Sequence, residues 1–279
     1  MRRRTFLCAL GAAACSAKRP PRPLLRGVLT AARNAGALSP ADESFCEAEL
    51  ASIVDFAATE LRNAPRAIGR VLGDLLFVRL GFSREVDDTN LSFVLLPSVL
   101  RARRGSCVGL GVLFLVLAEA LEQRASGVLM PGHFYVRLAE GDRFRNVELL
   151  RRGEAMPDAW YSARFPVPGG TVHEYARPLS NEEALGVIDY DVGNERRRQL
   201  RLEDARAAYV RSVRSFPAFA EAHASLGVTL HLLGRLDEAR ASYQRARSLN
   251  PNLDGVAWNR ELLDEEQAGI AGSPRARLY

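Results

Sequence analysis

From Cys107 to Ala118 the chain carries no charged residue, and apolar side chains fall on every face of a helical projection, so this stretch predicts a helix buried on all sides. Shorter periodic segments surround it. Ser44 to Ala64 and Pro65 to Leu80 repeat apolar residues at helical spacing, with Ser39 placed to cap the first and Gly81 to end the second. Phe82 to Asn90 reads as a loop, and Leu91 to Leu100 leads back to the apolar helix. After that helix the period changes to two. His133, Tyr135 and Arg137 fall on one face of a predicted strand, with Phe134, Val136 and Leu138 on the other, and a second strand follows from Arg143 to Leu149. Met156 to Tyr161 reads as a polar, turn-rich link, and Phe165 to Gly170 as a loop. The last third is helical and repetitive. Gly193 and Gly227, Tyr209 and Tyr243, and Pro217 and Pro251 each stand 34 residues apart, at the spacings of a tetratricopeptide repeat. The predicted repeats run over 186–219 and 220–253 within a unit spanning 184–268, closed by a capping helix from Asp254 to Gln267 with Val256, Trp258 and Leu262 facing inward.

The amino terminus is of another kind. Arg2, Arg3 and Arg4 precede a short apolar run from Phe6 to Ala14, the layout of an export signal over residues 1–17. Small residues before Cys15 resemble a lipobox, which would make Cys15 the lipidated first residue of the mature chain; a simple secretory cleavage near Ala17 is the alternative. Prolines at 20, 21 and 23 suggest a stiff tether, so 18–41 is read as a linker. No later apolar run reaches the roughly 18 residues a membrane span requires. The net charge of +5 and the isoelectric point near 9.3 come almost wholly from arginine. These arginines are interleaved with Asp and Glu, which favours a solvated surface over a nucleic-acid partner. No metal-ligand spacing and no glycine-rich phosphate loop occurs, so neither metal nor organic cofactor is expected.

Chemistry concentrates where the buried helix begins. Cys107 occupies its first turn, where backbone N–H groups lack intrahelical partners and the helix dipole favours a thiolate. A base and a group to orient it follow downstream in His133 and Glu148. A hairpin loop of even length centred on Glu140 and Gly141 would set His133 directly opposite Glu148 and Tyr135 opposite Asn146, about 5 Å apart at Cβ. An odd loop would put them on opposite faces. Asn90 is an oxyanion-donor candidate, with a plain turn residue as the other reading. Cys46 lies on an amphipathic helix and reads as a small buried side chain, with a disulfide to Cys107 as the other option.

Gly105-Ser106-Cys107, the apolar helix and Gly127 to Arg137 together resemble the core of the transglutaminase-like superfamily. Val99 to Gly105 and Pro131-Gly132-His133-Phe134 are similar to its bacterial Sir-B-type branch. The resemblance covers about residues 42–180. It implies an α+β fold related to papain-like cysteine enzymes, a helical amino-terminal part and an antiparallel sheet, followed here by the all-α repeats. Many members of that branch have lost the cysteine, whereas this chain keeps it. The third position of the family's triad is usually Asp; here Glu148 stands in its place, with Asn146 as a rival. The implied function is an exported, periplasmic or lipid-anchored cysteine hydrolase or acyltransferase acting on amides in a protein or peptide substrate. Without a working signal the chain would stay in the cytoplasm. The competing reading is a catalytically silent scaffold that binds protein through the fold and the repeats.

Overall fold

A computed structural model describes residues 22–63, 67–85, 90–167, 174–253 and 255–268. The expected export segment and Cys15 lie outside the described residues. Pro23 begins a helix, α1 (Pro23–Asn34), within the stretch read from its prolines as a tether. Behind the proline, Leu24, Leu25, Val28, Leu29, Ala31 and Ala32 recur at helical spacing and are buried, and that apolar stripe outweighs the proline-rich composition before it. The next helix, α2 (Pro40–Asn63), opens on a reciprocal cap. Ser39 Oγ accepts from the Asp42 N–H at 3.2 Å, while the Asp42 carboxylate accepts from the Ser39 N–H at 2.9 Å. Cys46, Leu50, Ile53, Val54 and Ala57 are buried along it. Cys46 and Cys107 are both free thiols. Burial pushes the Cys46 thiol up to about 11, so Cys46 is the inert, packed cysteine.

Helix α3 (Ile68–Gly73) runs on into a π-helical stretch, Asp74–Arg79, and the chain turns at Gly81 with a φ of +71°. Strand β1 (Ser83–Arg84) is followed by a 3-10 turn, Leu91–Phe93, and by α4 (Leu96–Ala102). Strand β2 (Arg104–Gly105) then pairs in parallel with β1. These short pieces deliver the chain into α5 (Cys107–Ala120), whose residues from Cys107 to Ala118 are all buried. Glycine lets its neighbours approach. A Cβ on Gly109 would stand 2.1 Å from the Phe93 carbonyl oxygen, and one on Gly111 would stand 2.7 Å from the Phe134 ring.

The sheet that covers α5 is antiparallel, in the order β3 (Ala125–Met130), β4 (His133–Glu140), β5 (Arg143–Glu148), β6 (Glu154–Ala155). Helix α6 (Asp158–Arg164) replaces the expected turn-rich link. The helical third comprises α7 (Asn181–Arg198), α8 (Leu202–Ser215), α9 (Ala220–Leu232), α10 (Leu236–Leu249) and α11 (Val256–Gln267). In each pair the glycine of the first helix receives the tyrosine of the second. A Cβ on Gly193 would lie 2.5 Å from the Tyr209 ring, and one on Gly227 would lie 2.6 Å from that of Tyr243. Val256, Asn259, Leu262 and Leu263 are the buried residues of α11, and Trp258 is half-buried. The repeats are not a detached arm, because α7 packs on both α1 and α5.

Gly109→Ala should lower the unfolding free energy in urea by about 2–3 kcal/mol, since the methyl meets backbone that cannot rotate away. Gly73→Ala is the counterpart. Its nearest neighbour would be 3.6 Å from the new Cβ and its backbone is already helical, so it should be neutral or stabilising by up to about 1 kcal/mol.

Candidate active site

Cys107 is fixed by the way α5 begins. Arg103 turns the chain with a φ of +51°, and the Ser106 N–H donates to the Phe93 carbonyl at 2.8 Å. Ser106 is the helix cap, its Oγ accepting from the Gly109 N–H at 3.2 Å. The thiol therefore sits at the positive end of a helix sealed in hydrocarbon, where the dipole is least screened by solvent. Only 7% of Cys107 is exposed.

His133 begins β4 directly after the Pro131-Gly132 turn, with Gly132 at a φ of +67°. Its Nε2 lies 2.7 Å from Glu148 Oε2, and the two side chains are 4% and 1% exposed. The other carboxylate oxygen, Oε1, accepts from the Leu150 N–H at 3.0 Å and caps a 3-10 turn. Both oxygens of Glu148 are thus engaged, one by the imidazole and one by backbone. The hairpin register differs from the sequence expectation by two residues. Its loop is Gly141-Asp142, with Gly141 at a φ of +61° as the tight hairpin turns require, so Glu140 pairs with Arg143 and Arg137 with Asn146. A shift of two keeps His133 and Glu148 on one face, and their side chains meet on the diagonal.

Asn146, the rival third member, is committed elsewhere. Its Oδ1 accepts from Arg137 Nε at 2.8 Å, and its Nδ2 donates to Asp158 Oδ1 at 2.7 Å and to the Met156 carbonyl at 3.2 Å. Asn90 is exposed, and its Oδ1 caps the 3-10 turn by accepting from the Ser92 N–H at 2.9 Å.

The aromatic side chains around the pair were not picked out from the sequence. Phe165 stacks on the His133 ring with centroids 4.3 Å apart and planes 8° off parallel, and Tyr161 stacks on Tyr135 at 3.7 Å. Burial, and after it the nearby Glu148 charge, pushes the Tyr161 hydroxyl far above the usual phenol range. Tyr161 and Phe165 stand four residues apart, one helical turn, which was the available signal.

Two depressions meet at Cys107, Gly132 and His133. One, of about 570 Å³, lies between the sheet domain and helices α7 and α9; the other, of about 340 Å³, lies toward α6. Glu221 of α9 lines the larger one. Part of the residue reaches the surface, but Oε2 is buried and has no hydrogen-bond partner among the described residues. Burial, and then the Glu174 charge, raises its carboxyl to about 8. No group of side chains suited to holding a metal occurs among the described residues, nor any helix long and apolar enough to cross a membrane.

Residues 45–185 match the transglutaminase-like superfamily, and residues 190–254 match the tetratricopeptide repeat. No curated protein matches the chain. Among solved structures it is similar to menin, in a crystal structure described as revealing the binding site for Mixed Lineage Leukemia (MLL) protein. The identity is 10%, with 87% of this chain and 69% of that one covered and a TM-score of 0.41.

A raised carboxyl pKa stabilises the fold below the ordinary value near 4.3, and that contribution is lost as pH climbs toward 8. Glu221→Gln should therefore gain on the native protein between about pH 4.5 and 8, by an amount on the order of 5 kcal/mol in urea unfolding. A constant difference between the two across that range would contradict the burial argument.

Proposed function

The chain belongs to the transglutaminase-like superfamily, and on that premise we propose that it is a cysteine hydrolase or acyltransferase that opens amide bonds with Cys107, His133 and Glu148. The observation that carries this reading is the buried contact of 2.7 Å between His133 Nε2 and Glu148 Oε2. A carboxylate accepting there holds the proton on Nε2 and makes Nδ1 the basic nitrogen, the form a thiol needs beside it. The reading draws further support from Cys107 at the start of α5 and from the depressions that Cys107 and His133 share. In fold terms it corresponds to a papain-like arrangement of nucleophile helix and antiparallel sheet.

In this mechanism the Cys107 thiol passes its proton to His133 Nδ1, and Sγ attacks the carbonyl carbon. Backbone N–H groups of the first turn of α5 steady the oxyanion. The imidazolium returns its proton to the leaving nitrogen as the C–N bond breaks, releasing an amine and leaving a thioester on Sγ. Water deprotonated by His133 then yields a carboxylate and restores the thiol, while an amine acceptor would give a new amide instead. Glu148 holds the ring throughout. Asn146 is left out of the machinery because its oxygen and nitrogen serve Arg137, Asp158 and Met156. Asn90 is left out because its oxygen caps a turn.

Site-resolved alkylation with iodoacetamide is the direct test. Cys107 should titrate well below the ordinary thiol value of about 8.5, and His133→Ala should raise that value and slow labelling at pH 6.5 by at least about tenfold. Cys46 should label only on unfolding. A Cys107 that titrates as an ordinary thiol in both proteins would defeat the reading.

We also propose that residues 1–17 direct export and that Cys15 carries a lipid. Expressed in a bacterial host, the native chain should pellet with membranes and Cys15→Ser should move to the soluble fraction. Equal partition of both would rule the anchor out.

A further inference from the structure

The two depressions that meet at Cys107 differ in chemistry, and the difference constrains what can lie across them. On the larger side Val94, Leu129 and Met130 of the sheet domain face Val187, Tyr190 and Phe219 across the gap. That wall is apolar on both sides, and half of it is supplied by the repeats. Burial keeps Glu221 protonated up to about pH 8, Arg198 is paired with Glu195, and Asp191 stands against Arg197, so the wall selects for size and apolar character rather than for net charge. A volume of about 570 Å³ accommodates a large side chain with its backbone.

The smaller side is lined by Arg84, Arg151 and Arg164, with Trp160 among them. Arg151 is paired with Glu154 at 2.7 Å, and Glu85, the acidic residue at this rim, is paired with Arg104. Glu148 is turned to His133. Arg84 and Arg164 have no ion pair among the described residues; Arg164 lies over the Trp160 ring at 5.6 Å. Two guanidinium groups at a concave rim, without an ion pair among the described residues, attract an anion, and the planar fork of arginine suits a carboxylate.

An amide opened by Cys107 has chain on both sides of the scissile bond, and because the two depressions meet at Cys107, an extended chain lying over the thiol can place one flank in each. We infer that the substrate is a peptide with a bulky apolar side chain on one flank of the scissile amide and a carboxylate on the other, held between the sheet domain and helices α7 and α9. The repeats are then a wall of the substrate cleft and not only a separate docking unit. This inference rests on Cys107 being the nucleophile.

The test measures how unreactive, end-blocked hexapeptides protect Cys107 from iodoacetamide in the full chain. One flank carries Phe or Ala and the other Glu or Gln, each set made in both chain directions. In one direction the Phe/Glu peptide should halve the alkylation rate at a concentration about fivefold below that of the Phe/Gln or the Ala/Glu peptide. Replacing both arginines, Arg84→Gln with Arg164→Gln, should erase the preference for Glu and keep that for Phe. Val187→Ala should do the reverse. Each ratio is taken against the variant's own unprotected rate, and Arg143→Gln, on the distant hairpin, should retain both preferences. Protection that ignores the flanks, or no protection by any peptide while Cys107 still alkylates fast at low pH, overturns the inference and leaves the catalytic reading standing. Slow, ordinary alkylation of Cys107 with no peptide present removes the catalytic reading and the inference with it.

Discussion

Helix α5 has no face to offer water, and most of the first two thirds of the chain is arranged to cover it. Each fully buried Leu, Val or Phe contributes about 1.5–3 kcal/mol, so a helix buried without a break from Cys107 to Ala118 must be enclosed on every side. Helices α1, α2 and α4, strands β3 and β4, and α7 from the repeats all pack against it. Its polar needs appear only at its ends. Near the carboxyl end, Glu119 reaches across to accept from the Leu24 and Leu25 N–H groups at 2.9 and 3.2 Å, a carboxylate at the positive end of α1. At the amino end the cap falls to Ser106, and the first residue inside it is Cys107. A helix wrapped this fully can meet a ligand only at a terminus, which puts Cys107 where the wrapping elements part.

Periodicity made α5, the strands and the repeats legible, because each is written locally in the order of apolar and polar residues. The glycine and tyrosine pairs 34 residues apart even specify a contact, Gly193 to Tyr209 and Gly227 to Tyr243, that the structure contains. Three features of the local chain path were not legible. Helix α1 hid behind prolines whose meaning changes once Pro23 is seen as the first turn of a helix rather than part of a tether. The hairpin register turned on which residue takes the left-handed φ, and glycine at 141 starts the turn rather than ending it. Helix α6 is short, and its aromatic residues matter through tertiary stacking on His133 and Tyr135, which no local pattern encodes.

The depression shared with the repeats was the least legible feature of all. It depends on α7 lying against α5 and α1, segments that stand before it by roughly 75 and 160 residues, and on α9 arriving beside the sheet domain. Reading the repeats as a unit of their own follows from their sequence, since each repeat is locally complete. What local completeness does not reveal is which helical face becomes a wall for someone else's site. Tyr190 and Phe219 serve both purposes, packing against each other with centroids 4.8 Å apart while lining the space above Cys107.

That residue 148 is a glutamate and not the shorter aspartate follows from the same hairpin. Were the strands paired so that His133 stood directly opposite residue 148, their Cβ atoms would be about 5 Å apart, a separation suited to a short carboxylate. The Gly141-Asp142 turn instead sets the pairing two residues further on, and the two positions become diagonal neighbours, about 7 Å apart. An aspartate there would stop short of the imidazole. The additional methylene of Glu148 spans that diagonal and still leaves the carboxylate able to take the Leu150 N–H with its second oxygen. That second bond matters, because a buried carboxylate with one idle oxygen is costly and one held at both oxygens is fixed in direction. Turn position, side-chain length and backbone capping therefore act as one constraint on the orientation of His133, and changing any one of them alone would separate the imidazole from its partner.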